Sequence, residues 1–260
     1  MSSDDESLLA QITATFDALD GWFARCARAA EKPQDGSELF EDDKVWPPHP
    51  ISEIARLSLA LSVEHLRLVR VMVEARQLFP SAQFTTLRGA LVGAAQAVWI
   101  LSPDDSTRRR ERGLCVAVEE YEQLGKYYRE LDRHAPSTVP EDQWDWLNQR
   151  RDGAKAARLS DAKLNQTEMI AEALDAAFPN DSAKPDTGRL LWRQMSADAH
   201  VLGWAVSQRA TLLTPPRKGT GLAVMAAGGS LKDLADPYLC AYELVRFGWS
   251  LFDRRCEAVA

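Results

Sequence analysis

Apolar residues recur at intervals of three and four along almost the whole chain, and the alternation with a period of two that marks strands is nearly absent. The chain has 260 residues, of which 45% are hydrophobic, so it can bury a large core and is not expected to be disordered. These observations predict an all-α fold, a single helical domain over residues 1–260 with about seven to eight helices.

Prolines and polar segments divide the chain into three parts. Residues 1–50 hold an N-terminal helix and a proline-rich loop, residues 51–135 hold central helices, and residues 140–260 hold the remaining helices. The predicted helices cover residues 7–30, 52–78, 85–102, 105–133, 141–157, 162–177, 188–213 and 231–256. The segment 179–185 is expected to be a linker, and 217–230 a loop or a short hairpin.

One predicted helix is apolar around most of its circumference, which is typical of a central helix. Its apolar stretch, residues 89–101, is too short to cross a bilayer. Arg88 lies beside this stretch, and a guanidinium near a core needs a partner, for which Glu64 is a candidate. The alternative is that Arg88 reaches solvent from the first turn of the helix.

The net charge, the N-terminal sequence and the cysteine spacing indicate which classes of protein this chain is not expected to belong to. The net charge of −7 argues against a protein that coats nucleic acid generally, although local contacts with a few nucleotides stay possible. The acidic N-terminus has no signal-peptide pattern, and we expect a cytoplasmic protein without a membrane partner. The four cysteines show no metal-ligand spacing, so reduced thiols, no metal and no cofactor are expected.

The segment around Arg193 and His200 carries the strongest functional signal. Seven helical residues separate the two side chains by about 20° on one face, so a fixed cation and a titratable imidazole share a stripe. The apolar residues of that predicted helix lie on the opposite side. They are Leu191, Met195, Leu202 and Val206. Trp204 lies near the stripe, and a large exposed aromatic residue usually marks a contact surface.

Arg193 followed by His200 resembles the arginine–histidine motif of the HEPN superfamily. HEPN domains are helical bundles whose active members are metal-independent ribonucleases, often toxins or antiviral effectors, with a site formed where two subunits meet. The resemblance implies that His200 moves a proton and that Arg193 stabilises charge on phosphorus. It also implies that Gln194 or Ser196 positions the phosphate and that the protein is a homodimer.

A second resemblance covers more of the chain. The segments 86–91, 97–103 and 108–112, together with Ser196 and His200, are similar to a group of bacterial helical proteins to which no activity is assigned. This resemblance supports a helical fold and implies no chemistry.

Four arginines between residues 108 and 112 form a basic cluster, in which Arg108 and Arg112 share one helix face. These two residues, with Trp204, are candidate contacts for RNA. The alternative is a solvated helix face with Glu111 and Glu119 nearby.

The sequence therefore leads to two functional hypotheses. The first is a HEPN-like, metal-independent endoribonuclease of a toxin or phage-defence system, with RNA as substrate and an antitoxin or other regulatory protein as partner. The second is a non-catalytic helical binding or scaffold protein in which the arginine–histidine motif is structural.

Overall fold

The computed structural model describes residues 2–258 and confirms the predicted all-α class. These residues form eleven helices and one two-stranded hairpin. The helices are α1 (Ser3–Thr13), α2 (Phe16–Cys26), α3 (Glu38–Asp43), α4 (Ile51–Glu74), α5 (Ala82–Leu101), α6 (Ser106–His134), α7 (Glu141–Ala156), α8 (Gln166–Ala177), α9 (Ala183–Ala199), α10 (Trp204–Arg209) and α11 (Leu231–Cys256). The strands β1 (Thr211–Leu212) and β2 (Met225–Ala226) pair antiparallel.

Helix α5 is the centre of the fold, as its apolar circumference predicts. Helices α4, α6, α8, α9 and α11 all pack on it. The approach of α4 is close, because a methyl group at Gly93 would lie only 2.7 Å from the carbonyl oxygen of Ser58. The hydroxyl of Ser62 donates a hydrogen bond across the same contact to the carbonyl of Ala90.

Within residues 2–258, α5 is also the one helix whose length and mean hydropathy of 1.3 would suffice to cross a membrane. The expectation that this segment is too short to do so was based on residues 89–101 alone, whereas the helix has 20 residues. More than half of the apolar window (56%) is buried inside the protein. A core helix passes the same test of length and composition, and the packing of α5 accounts for its apolar character.

Two of the predicted boundaries in the N-terminal part are wrong. The first helix is divided into α1 and α2 at Thr15, whose buried hydroxyl lies 2.6 Å from the carbonyl of Ile12 and 2.7 Å from the Tyr238 hydroxyl. The segment 31–50 is not all loop, because Ser37 caps the short helix α3 by accepting a hydrogen bond from the amide of Phe40. Polar contacts of this kind do not alter the spacing of apolar residues, so hydrophobic periodicity does not reveal them.

The short helix α3 matters because it carries Asp42, a fully buried carboxylate. Arg109 Nε lies 2.6 Å from this carboxylate and Arg110 Nε lies 3.1 Å from it, and the hydroxyl of Ser106 donates to it as well. Arg109 is itself buried and also donates to two backbone carbonyls at the end of the α5–α6 connection. The network ties α3 to the start of α6.

Replacing Asp42 is expected to destabilise the fold strongly. Asp42→Ala leaves the buried Arg109 without its counter-charge, so we expect the free energy of unfolding to fall by about 3–5 kcal/mol in urea denaturation. Asp145→Ala, on an exposed carboxylate of α7, is the matched control and should change it by less than about 0.5 kcal/mol. Equal effects of the two substitutions would show that the Asp42 network contributes nothing specific.

Candidate functional site

The predicted continuous helix over residues 188–213 is wrong, because α9 ends at Ala199. His200 caps the helix, and Val201 follows in a left-handed conformation with φ of 57°. The amide of Val201 donates to the carbonyl of Asp198 (3.1 Å), and that of Leu202 donates to Ala197 (2.8 Å). This pair of bonds is the Schellman arrangement, in which the chain leaves the helix axis. The chain then resumes as the short helix α10.

Asp198, one residue before this turn in α9, is held in a buried ion pair with Arg209 of α10. Arg209 Nη2 lies 2.5 Å from Asp198 Oδ1, and the two side chains are 5% and 0% exposed. Ser81 donates to the same carboxylate oxygen at 2.9 Å, while Arg209 also donates to the carbonyl of Pro80. The guanidinium lies 3.9 Å from the centre of the Phe84 ring, a favourable cation–π contact. The pair therefore joins α9 and α10 to the start of α5.

The sequence analysis missed Asp198 and Arg209 as structural residues. The sequence does contain one indication for Asp198, because this acidic residue lies between two alanines and beside the packing face of the predicted helix. Acidic residues are rarely buried unless they are paired. The sequence gives no comparable signal for the partner, because Arg209 reaches Asp198 only through the turn at Val201.

Arg193 and His200 are both exposed, and neither side chain forms a hydrogen bond or an ion pair with another residue of the described range 2–258. The Arg193 guanidinium lies 5.8 Å from the centre of the Trp192 ring. The amide of His200 still bonds to the carbonyl of Ser196 at 3.0 Å, so His200 continues the last turn of α9. The two residues are therefore about 10 Å apart along one side of the helix. Their catalytic roles remain predictions.

The other residues that the sequence predicts to contact RNA near Arg193 and His200 differ from them in burial and in hydrogen bonding. Ser196 accepts a hydrogen bond from Arg88 Nε (3.1 Å), and Arg88 also donates to Gln166. Arg88 is thus paired with α8 and α9, and Glu64, its candidate partner, is not among its contacts. Gln194 is half-buried, and Trp204 is 48% exposed at the start of α10.

Three of the four arginines of the basic cluster in α6 bind other groups of the protein. Arg112 donates to the carbonyl of Trp99 at 2.7 Å and to the carboxylate of Glu172, so its hydrogen bonds reach α5 and α8 but not α9. Burial against this surface lowers the pKa of Arg112 from its ordinary value. Arg109 and Arg110 bind Asp42, and Arg108 is exposed. The solvated face of the alternative therefore holds for Arg108, and Glu111 binds Arg158 (2.7 Å) instead of an arginine of the cluster.

The cysteines are all free thiols of partly or fully buried side chains. Burial raises the pKa of Cys240 and Cys256 to about 12, and it raises the pKa of Cys26 and Cys115 as well. A thiol attacks as the thiolate, so none of the four is prepared as a nucleophile. Within residues 2–258, no three His, Cys, Asp or Glu side chains come close enough to hold a metal ion.

The segment that follows α9 exposes an unusual number of large apolar side chains. We call them the 201–225 surface: Val201, Leu202, Trp204, Leu212, Leu213, Leu222, Val224 and Met225, which are 41–89% exposed. In the hairpin, Leu212 faces Met225 in the register, and the amide of Leu213 donates to the carbonyl of Val224 at 2.8 Å. Adjacent residues of a strand point to opposite faces, so the hairpin is apolar on both.

No protein-family model, curated protein or solved structure matches this chain. The HEPN resemblance therefore depends on the residue pattern alone.

The Asp198–Arg209 pair is expected to hold this surface in place. Asp198→Ala leaves a buried guanidinium without its counter-charge and should lower the free energy of unfolding by about 3–5 kcal/mol. Limited proteolysis should then cut within residues 200–230 faster than in the wild type. Arg193→Ala, at an exposed position of the same helix, should leave the cleavage pattern unchanged; an equal acceleration there would contradict the assignment.

Proposed function

We propose that this protein is a helical binding protein whose partner docks on the 201–225 surface. The observation that carries the proposal is the hairpin with apolar side chains on both faces, which are 41–67% exposed. A two-stranded hairpin is marginally stable by itself, and contiguous exposed apolar patches mark sites of interaction. A partner would remove this apolar area from water and order the hairpin.

The charge of the same region indicates the chemistry of the partner. Residues 199–231 contain no aspartate or glutamate, although the chain has 38 acidic residues in total. Arg217 and Lys218 lie exposed at the tip of the hairpin, and His200 is exposed directly before Val201. A partner segment that carries both apolar and acidic side chains complements this surface.

A photo-crosslinking amino acid at position 213 tests the proposal in cells that naturally contain the protein. We expect one discrete protein adduct whose cross-linked segment is rich in acidic residues, and we expect Arg217→Glu with Lys218→Glu to abolish it. The matched control is position 159, where Leu159 is 77% exposed on another part of the surface and should give no such adduct. Identical adducts from both positions, or adducts to RNA or lipid in place of protein, would contradict the proposal.

A metal-independent ribonuclease is the second candidate function. The observation in its favour is that Arg193 and His200 lie exposed on one side of α9, without partners among residues 2–258. An imidazole can move the proton of a ribose hydroxyl, and a guanidinium can stabilise the phosphorus centre. An acidic partner on the adjoining 201–225 surface would cover His200, as expected for an antitoxin or another regulatory protein.

Incubation of the purified chain with mixed cellular RNA in EDTA tests this candidate. We expect His200→Ala and Arg193→Ala each to reduce cleavage at least about 100-fold, the range for loss of a proton-transfer group or of a group that stabilises transition-state charge. Their melting temperatures should stay unchanged because both residues are exposed. His134→Ala, at an exposed histidine of α6, is the matched control and should cleave normally. RNA left intact by the wild type would exclude the ribonuclease.

A further inference from the structure

We propose that a cavity beneath the segment 157–165 binds an α-amino acid with an apolar side chain. This segment connects α7 to α8, and together with α6, α8 and the end of α5 it encloses a volume of about 200 Å³, which we call the 157–165 cavity. Sites for drug-sized ligands have volumes of about 300–1,000 Å³, so this cavity suits a small metabolite.

Two arginines of the cavity wall are nearly buried and held in fixed positions. The side chain of Arg158 is 7% exposed and that of Arg112 is 11% exposed. Glu111 accepts hydrogen bonds from Arg158 Nε (2.9 Å) and Nη2 (2.7 Å), and the same Nη2 donates to the carbonyl of Ala162 at 2.7 Å. The hydrogen bonds of Arg112 reach α5 and α8. Charged groups that are already ordered lose little conformational entropy when a ligand binds.

Both guanidinium groups keep a donor for a further acceptor. Within residues 2–258, Arg158 Nη1 and Arg112 Nε form no hydrogen bond, and neither atom is closed off from solvent. Lys163 lies in the same wall and forms no ion pair with the described residues. Guanidinium groups bind carboxylates with good geometry, so this side of the cavity suits a carboxylate.

The opposite charge in the cavity comes from α8. Glu168 and Glu172 are one turn apart on the same face of this helix, and both line the cavity. Glu168 forms no side-chain hydrogen bond within residues 2–258, whereas Glu172 binds Arg112 and Trp99 through Oε2 and keeps Oε1 for another donor. A simple anion would be repelled by these carboxylates and a simple amine by the arginines. A ligand with both an ammonium and a carboxylate group complements the two sides together.

The remaining wall of the cavity is apolar. It is formed by Met169, Leu164, Cys115 and the ring of Trp99. An aliphatic or thioether side chain loses contact with water when it packs there, whereas a charged side chain would have to be desolvated. Leucine and methionine therefore fit the cavity. This inference does not depend on the proposed function, because the 157–165 cavity and the 201–225 surface share no residue.

Isothermal titration calorimetry of the full chain with L-methionine and L-leucine tests the proposal. We expect saturable binding of at least one of them. N-acetyl-L-methionine lacks the ammonium group and L-methionine amide lacks the carboxylate, and each should bind at least tenfold more weakly than L-methionine. Equal binding of the N-acetyl analogue would reduce the cavity to a site for anions and overturn the proposal, as would the absence of saturable binding for both amino acids.

Variants at exposed positions of the cavity place the ligand. Glu168→Gln and Lys163→Gln should each raise the dissociation constant at least fivefold, and their melting temperatures should stay unchanged because both side chains are exposed. Glu141→Gln, at an exposed carboxylate of α7, is the matched control and should bind as the wild type does. Binding that neither cavity variant weakens would place the amino acid elsewhere and overturn the assignment.

Discussion

The burial of α5 is the constraint on which the rest of the structure depends. A helix that is apolar on nearly all sides is stable in water only when other helices cover it, and α4, α6, α8, α9 and α11 do so. The close contact at Gly93 leaves no room for a side chain between α4 and α5. The inner face of α4 packs on α5, whereas Leu57, Leu61, Leu68 and Val71 on its outer face are 47–54% exposed.

The same central helix fixes the candidate functional region through its N-terminal end. The carboxylate of Asp198 and the guanidinium of Arg209 are brought to the start of α5, where Ser81, Pro80 and Phe84 surround them. Once this pair is buried, α9 cannot continue as a straight helix. The chain is turned outward, and its next apolar residues lie in solvent.

Residues of the segment 193–200 differ in whether their side chains contribute to packing, a difference that the sequence motif does not reveal. Asp198, inside the segment from Arg193 to His200, has a structural role, whereas the side chains of Arg193 and His200 form no hydrogen bond or ion pair within the described residues 2–258. Substitutions at the two kinds of position therefore have different consequences for stability. Substitutions of Arg193 or His200 are therefore expected to leave the fold intact.

The sequence predicts the regular parts of this fold because their apolar periodicity is strong. The central helix, the long helices α4 and α6, and the final helix were placed within a few residues of their observed ends. The errors arose where polar contacts decide the path of the chain. The hydroxyl of Thr15 and the buried carboxylate of Asp42 act through residues that are distant in sequence.

Among the wrongly predicted boundaries, the end of α9 changes the candidate site most. Left-handed turns after helices usually contain glycine or asparagine, and here a valine adopts that conformation. No local pattern therefore signals a helix end at Ala199. The face assignment of Leu202 and Val206 failed with it, whereas the placement of Arg193 and His200 on one side of α9 depends only on the residues before the turn.

Residue-resolved hydrogen exchange on the isolated full chain tests the central claim most directly, namely that a covered helical core presents an uncovered apolar segment. The account predicts amides of α5 that exchange only on global unfolding, and amides of residues 210–229 that exchange orders of magnitude faster in dilute solution. Hairpin amides as protected as those of α5 in the dilute monomer would show that the 201–225 surface is already covered within its own chain, and would contradict the account.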